Sequence, residues 1–466
     1  MRTMLAIATL ASCPALAHAD DPCPIQRLVG EPGYSNSFGG ITRIDADRLI
    51  VQDGSARTAC APGGDPIMCG AGAVYSYRLE AGRWVDPQFI YPPDIGVNDR
   101  FGIFDLDGDR LAVATQRREG LPWFGGLHIY EIDPATDRWV EVERIPAPSV
   151  DPSPPSGFGS WVALHRDSVL TAWDSIVFLF QLGDEGWELT QTINRFDPTD
   201  PTSDSFGRAM VMNDDWAIIN ADTDDTLGYP HGLLYVYKRD DEGLLNLHDT
   251  LLPPIDGGAF GRPLALDGST LAVQGGGSHF AGSIFVYELT DSGLEFRQDV
   301  TLGDDLVDRA VGIGMGLSLA GDTMLFGSWR GGPGPNERVG YVFTRGSDGL
   351  WRFADVLDPQ PAAPFTLDRT IGHWAATDGR MAVLGSPNEG ITVPPGLSVG
   401  AAYSFDLDCE ICTPDLDADG ELTIFDFLTF FNLFEDGEAA ADFDGDGELT
   451  IFDFLAFQTA FDAGCA

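Results

Sequence analysis

The stretch FGRPLALDGSTLAV, from Phe260 to Val273, followed by SIFVYEL from Ser283 to Leu289, decides the fold. It reads as a Phe-Gly lead, a short apolar strand, a turn at Asp267-Gly268, a second strand and, after a loop, a third. Short apolar runs rich in β-branched and aromatic residues, bounded by Gly and Asp, are strands, and Asp-Gly suits a tight hairpin. The order recurs along the chain. Phe101-Gly102 precedes Leu111-Ala-Val113 and Leu127-His-Ile-Tyr130, and Phe206-Gly207 precedes Trp216-Ala-Ile-Ile219 and Leu234-Tyr-Val-Tyr237. The anchoring glycines are Gly39, Gly102, Gly159, Gly207, Gly261, Gly314 and Gly372, spaced 48 to 63 residues apart, with Ile313 and Ile371 replacing Phe in the last two copies. Seven such units without helical periodicity predict an all-β seven-bladed propeller over residues 20–408.

The ends of that region bear on closure. The last unit has no fourth strand after Tyr403-Ser-Phe405, whereas residues 24–29, from Pro24 to Val29, read as a strand with no unit of its own. Adding it to blade seven would hide the edge that an open ring exposes. Trp84, Trp139, Trp187 and Trp351 open outer strands and read as packing residues. The turn Asp105-Leu-Asp107-Gly-Asp109 resembles a calcium loop but equally suits a tight hairpin.

Residues 409–466 differ in kind. DGELTIFDFL occurs twice, at Asp419–Leu428 and Asp446–Leu455, each time inside the pattern D-x-D-x-D-G-x-x-x-x-x-D. Calcium takes six to eight oxygen ligands, and a twelve-residue loop supplies them from positions 1, 3, 5, 7, 9 and 12. In the first loop these are Asp415, Asp417, Asp419, the carbonyl of Glu421, Thr423 and Asp426. In the second they are Asp442, Asp444, Asp446, the carbonyl of Glu448, Thr450 and Asp453. Gly420 and Gly447 stand where the loop turns sharply. The expected cofactor is Ca²⁺, two ions in this module, with binding coupled to folding because clustered carboxylates repel without a metal. Each loop runs into a short, apolar helix.

A duplicated loop-helix with Asp at position 12 resembles the dockerin module, most closely the planctomycete-type tails that end in Gly-Cys, as Gly464-Cys465 does here. That resemblance implies a protein partner, cohesin-like or an envelope component. The implied contact residues at positions 10 and 11 are Ile424, Phe425, Ile451 and Phe452, where cellulosomal dockerins carry Ser/Thr-type residues. The repeats before the tail resemble the bacterial FG-GAP family, on leads such as Asp99-Arg-Phe-Gly102 and Asp204-Ser-Phe-Gly207. This implies an integrin-like propeller.

Composition bounds the rest. The net charge is −45, Lys238 is the sole lysine, and no Lys or Arg follows Arg380. Nucleic acid and anionic membranes are therefore excluded as expected partners, and no run reaches the length of a membrane span. Residues 1–19 read as a signal peptide, with Arg2, an apolar run from Met4 to Leu10 and an A-x-A site at Ala17-His-Ala19, so the protein is expected to be secreted or on the cell surface. Leu10-Ala-Ser-Cys13 also resembles a lipobox. Six cysteines remain after cleavage, an even count that implies disulfides. Pairings considered are Cys412–Cys465, Cys60–Cys69 and Cys23–Cys409.

No catalytic constellation stands out. Gly396-Leu-Ser398-Val-Gly400 matches G-x-S-x-G, but that motif needs a strand, an elbow and a helix. The expectation is a non-catalytic, calcium-binding interaction or adhesion protein, with a glycan or protein ligand at one propeller face. Alternatives are a component of extracellular polysaccharide degradation and a structural envelope protein. The loops Asp222 to Pro230 and Arg330 to Asn336 are candidates for such a face.

Overall fold

The structure is a computed structural model. It describes residues 25–31, 37–56, 71–92, 99–116, 125–148, 158–173, 175–195, 206–221, 232–254, 260–275, 283–300, 312–330, 339–359, 365–366, 371–391, 397–398 and 400–408. In the tail it describes residues 416, 422–437, 441, 443 and 449–463. The chain divides into two compact units, Gln26–Phe405 and the remainder.

The larger unit is a seven-bladed propeller. Blades one to six are four-stranded antiparallel sheets built in chain order, beginning with Phe38–Asp45, Arg48–Asp53, Ala73–Glu80 and Arg83–Ile90. Blade seven is ordered differently. Trp374–Thr377, Met381–Ser386 and Ala401–Asp406 take their fourth strand, Gln26–Leu28, from the other end of the chain. The innermost strands of successive blades touch around the ring, and that of blade seven meets that of blade one. A small three-stranded sheet of Phe365–Thr366, Gly390–Ile391 and Leu397–Ser398 flanks blade seven.

The Phe-Gly lead has a steric reason. Phe38, Phe101, Phe158, Phe206 and Phe260 are all buried, each beneath the start of its blade. Gly207 has φ +83, and a Cβ there would lie 2.8 Å from Ala172 Cβ and Val177 Cγ2 of the preceding blade. Gly39 has φ +90 and would place a Cβ 1.9 Å from the Ala401 carbonyl oxygen. Only glycine meets both demands without strain. The first strands of blades one, four and five shift register just after this glycine.

Neighbouring blades are joined by a recurring amide clamp that sequence inspection missed. Gln88 in the outer strand of blade one donates to the Trp139 carbonyl (2.8 Å) and accepts from the Trp139 N–H (2.9 Å). Gln26 does the same to Trp84, Gln191 to Leu245 and Gln298 to Trp351, all at 2.7–2.8 Å. Between blades two and three the Glu143 carboxylate accepts from Trp187 N–H at 3.2 Å. The tryptophans are buried, as their packing role required, and two indole N–H groups reach the preceding blade: Trp84 to Ser404 Oγ (2.8 Å) and Trp139 to Ser76 Oγ (2.7 Å).

Closure has its own lock. Glu389 is fully buried; one carboxylate oxygen accepts two bonds from Arg27 of the closing strand, and the other accepts from Tyr403 Oη. Burial, with Glu389 adding to it, raises the Tyr403 pKa, so the phenol stays a donor. Glu389→Leu should destabilise the propeller by about 1.5–3 kcal/mol, because it removes the acceptor shared by the half-buried Arg27 and the buried Tyr403 hydroxyl. Urea unfolding of the variant measures this, and a change under about 1 kcal/mol would show that closure does not depend on the lock.

Candidate functional site

In the tail unit, two thirteen-residue helices, α1 (Ile424–Asp436) and α2 (Ile451–Ala463), follow the two predicted loops. Thr423 is the N-cap of α1: its side chain accepts from Phe425 N–H (3.1 Å), and Asp426 returns a bond from the Thr423 N–H (2.7 Å). This is a capping box with Asp in the third position. Asp426 also accepts from Leu416 N–H (2.8 Å) across the loop. Thr450 and Asp453 repeat the arrangement, at 3.1 Å to Phe452 N–H and 2.6 Å from Thr450 N–H. Gly437, with φ 73, ends α1 in the left-handed conformation.

The same two aspartates close the metal loops in sequence, and both are fully buried. A buried carboxylate needs compensation, yet this unit's tail has no Lys, Arg or His. Within the tail, N–H groups supply part of that compensation: Asp426 and Asp453 each accept from the threonine N–H three residues before. Of the expected ligands, Thr423, Asp426, Thr450 and Asp453 are thus placed. Asp415, Asp417, Asp419, Glu421, Asp442, Asp444, Asp446 and Glu448 lie outside the described residues, as do all six cysteines. Among the described residues alone there is no cluster of three metal-ligating side chains.

The module's core is a phenylalanine stack. Phe430 and Phe457 are buried and lie 4.6 Å apart at 13°, with Phe427 against Phe461 at 4.6 Å. What is left over faces water. Ile424, Phe425, Ile451 and Phe452 are 66%, 59%, 64% and 63% exposed, and Leu428, Phe431 and Leu455 are exposed beside them. Large contiguous exposed apolar groups mark interaction surfaces.

In the propeller, two indoles meet near the axis of the ring. Trp161 of blade three and Trp374 of blade seven lie 6.3 Å apart at 35°. Those blades are not neighbours, so the two rings meet across the axis. Trp161 Nε1 donates to the Met210 carbonyl (3.2 Å). His373 stands edge-on to Trp374 at 5.9 Å, and its pKa is lowered by burial and by the Arg262 cation, which keeps it neutral at pH 7. Further along the channel, Arg43 donates to Asp105 (3.0 Å), whose other oxygen accepts from Leu164 N–H (2.9 Å). Burial outweighs Arg43 and raises the Asp105 pKa. Asp107 accepts from Arg166 N–H, so two carboxylates of this hairpin turn, Asp105 and Asp107, already have protein partners.

A hydroxyl–imidazole–carboxylate series crosses blade two. Thr115 Oγ1 is 2.9 Å from His128 Nε2, and His128 Nδ1 is 2.8 Å from Glu141 Oε1. Thr115 and His128 are buried, and Phe101 stands edge-on to the imidazole at 5.4 Å. The series ties three strands together. Burial pushes the Glu141 pKa up, but hydrogen bonds from His128 and Arg144 outweigh it and bring it down to about 2. That depression stabilises the fold above the ordinary carboxylate range and is lost as pH falls towards 2. His128→Leu should move this loss to higher pH, read as a shift in the acid limb of melting temperature against pH; an unmoved limb would refute the coupling.

A polar cleft of about 370 Å³ lies between blades three and four, lined among others by His165, Asp214, Arg239 and Glu242. Its basic side chains are engaged: Arg239 with Ser168, and His165 and Arg166 with Asp214. Ser398 of the G-x-S-x-G match lies in a short strand before Ala401–Asp406, with no helix after it. The loops Asp222 to Pro230 and Arg330 to Asn336 fall, apart from Arg330, outside the described residues.

This geometry defines the class: a seven-bladed β-propeller followed by two short helices. No protein-family model and no curated protein matches the chain. Among solved structures, it resembles a Bacteroides uniformis protein named as a 6-phosphogluconolactonase, at 13% identity and TM-score 0.44, covering 77% of this chain and all of that one. It also resembles the Pseudomonas aeruginosa periplasmic gluconolactonase, at 15% identity and TM-score 0.42, covering 82% and 96%. A Lactobacillus plantarum protein matches at 15% identity and TM-score 0.45, covering 77% and 99%. At these values the likeness carries no argument, and the propeller rests on the strand order of the chain itself.

The expectation of a non-catalytic adhesion protein is corrected here. Propellers named as a 6-phosphogluconolactonase and a gluconolactonase stand among the similar structures, and the absence of a contiguous motif in this chain does not exclude catalysis. The physical reason is that a reaction centre on a propeller draws single residues from several blades and leaves no contiguous signature.

Proposed function

We propose that residues 409–466 form a dockerin-like module that binds two calcium ions and attaches a secreted propeller to a protein partner. The observation that supports it is the pairing, in both copies, of a buried closing aspartate with an exposed Ile-Phe pair. The ligand pattern read from the sequence completes each calcium loop around that aspartate. The FG-GAP resemblance rests on the Phe-Gly leads alone, and the similar propellers reported above are not named for it. The propeller carried by the module is read as a candidate hydrolytic domain rather than an inert scaffold, and lactone hydrolysis is the first activity to assay on it.

Titration calorimetry of the full chain should show two calcium ions bound, with a rise in the melting temperature of the tail. Asp426→Asn with Asp453→Asn should abolish both effects. No heat, and no response to chelator, would remove calcium from the account. With calcium present, the full chain should capture a partner from envelope or secreted proteins of the source organism. Phe425→Asp with Phe452→Asp should abolish capture while calcium binding persists; undiminished capture would show that the surface lies elsewhere.

A further inference from the structure

The clamp between outer strands obeys a spacing. The gripping residue stands four places after the residue near the start of its own outer strand: Gln88 after Trp84, Gln191 after Trp187 and Gln298 after Leu294. Each glutamine grips the matching residue of the next blade, so Trp139, Leu245 and Trp351 are each held by two bonds. Glu143 has this place in blade two, and Asp249, four after Leu245, has it in blade four. By the same rule Asp249 faces Leu294 of blade five.

Aspartate is one methylene shorter than glutamine, and here it does not reach. Asp249 Oδ1 accepts from its own neighbour, Thr250 N–H (2.7 Å), and Oδ2 stops 3.7 Å from where a Cβ on Gly293 would stand. Among the described residues no hydrogen bond joins Leu245–Leu251 to Gly293–Val300. What holds blades four and five together lies further in or at the turns. It comprises the apolar wedge around Phe260, a bond from Asn213 Nδ2 to the Gly268 carbonyl (2.7 Å) and an ion pair of Lys238 with the fully exposed Asp291 (3.5 Å). An exposed pair of that kind adds little. Asp355 repeats the arrangement in blade six, accepting from Val356 N–H (2.7 Å), but the residue it would face lies outside the described residues.

We propose that the ring loosens first at its outer edge between blades four and five, where Asp249 leaves the clamp unmade and the start of Gly293–Val300 lifts. Inner strands of both blades stay packed in the shared apolar wedge, so the motion is a local opening and not the unfolding of a blade. Two hydrogen bonds of ordinary net strength shift such an opening equilibrium about tenfold or more. The seam between blades five and six, gripped by Gln298, stays shut. Neither the tail nor any activity of the propeller enters this inference.

Native-state hydrogen exchange of the full chain tests this. Amides at the start of Gly293–Val300 should be at least about tenfold less protected than those at the start of Arg138–Pro146 and Trp351–Leu357, where the clamp is complete. Asp249→Gln should raise them to that level and leave Arg138–Pro146 unchanged. Gln298→Asp should carry the weak protection to the start of Trp351–Leu357. Equal protection of the three strands in the parent protein, no response to Asp249→Gln, or an unaffected Trp351–Leu357 in Gln298→Asp would each overturn the proposal.

Discussion

The propeller depends on closing its ring. Each blade buries its faces only against two neighbours, so a gap at one seam exposes a strand edge and two apolar faces together. The chain meets this by placing Gln26–Leu28, from its own beginning, beside Ala401–Asp406. Three residues of strand make few backbone bonds, and side chains add the rest. Arg27 reaches the buried Glu389, Gln26 clamps Trp84 of blade one, and Trp84 reaches back to Ser404. The closing strand is thus held by blade seven and by blade one.

The other seams use parts of the same device. A glutamine can donate to a carbonyl and accept from an N–H of one residue at once, which suits it to gripping a backbone across two sheets. Glu143, at the matching place in blade two, can only accept, and its bonds to Trp187 are longer. Beneath the clamps, the Phe-Gly lead sets how near one blade comes to the next: the phenylalanine fills the wedge and the glycine yields the last few ångströms.

The tail follows a different economy. A small unit built on thirteen-residue helices has little interior, and stacked phenylalanines use most of it. Buried aspartates at the start of each helix satisfy orphan N–H groups. Residues 10 and 11 of each loop point away from the stack because the capping turn before them leaves no room inward. The exposed Ile-Phe pairs are the surface that the proposed partner would cover.

Much of the propeller was legible in the chain. The recurrence of Phe-Gly at Phe101, Phe206 and Phe260, with Asp-Gly turns and alternating strands, counted the blades. Local periodicity and turn chemistry are short-range properties, and they survive without any knowledge of the fold. Burial of the outer-strand tryptophans could be inferred for the same reason. The seams could not be read, because nothing local in Gln88 distinguishes it from a solvated glutamine. Its partner Trp139 lies in another sheet, 51 residues on. Nor could the channel: Trp161 and Trp374 are unremarkable apart and meet only because the ring brings opposite blades to one axis. By itself, then, the sequence determined the repeat and its secondary structure, which depend on residue type at short spacing. The tertiary structure alone decided which side chains grip across seams and which converge at the centre, because those contacts exist only once the ring has closed.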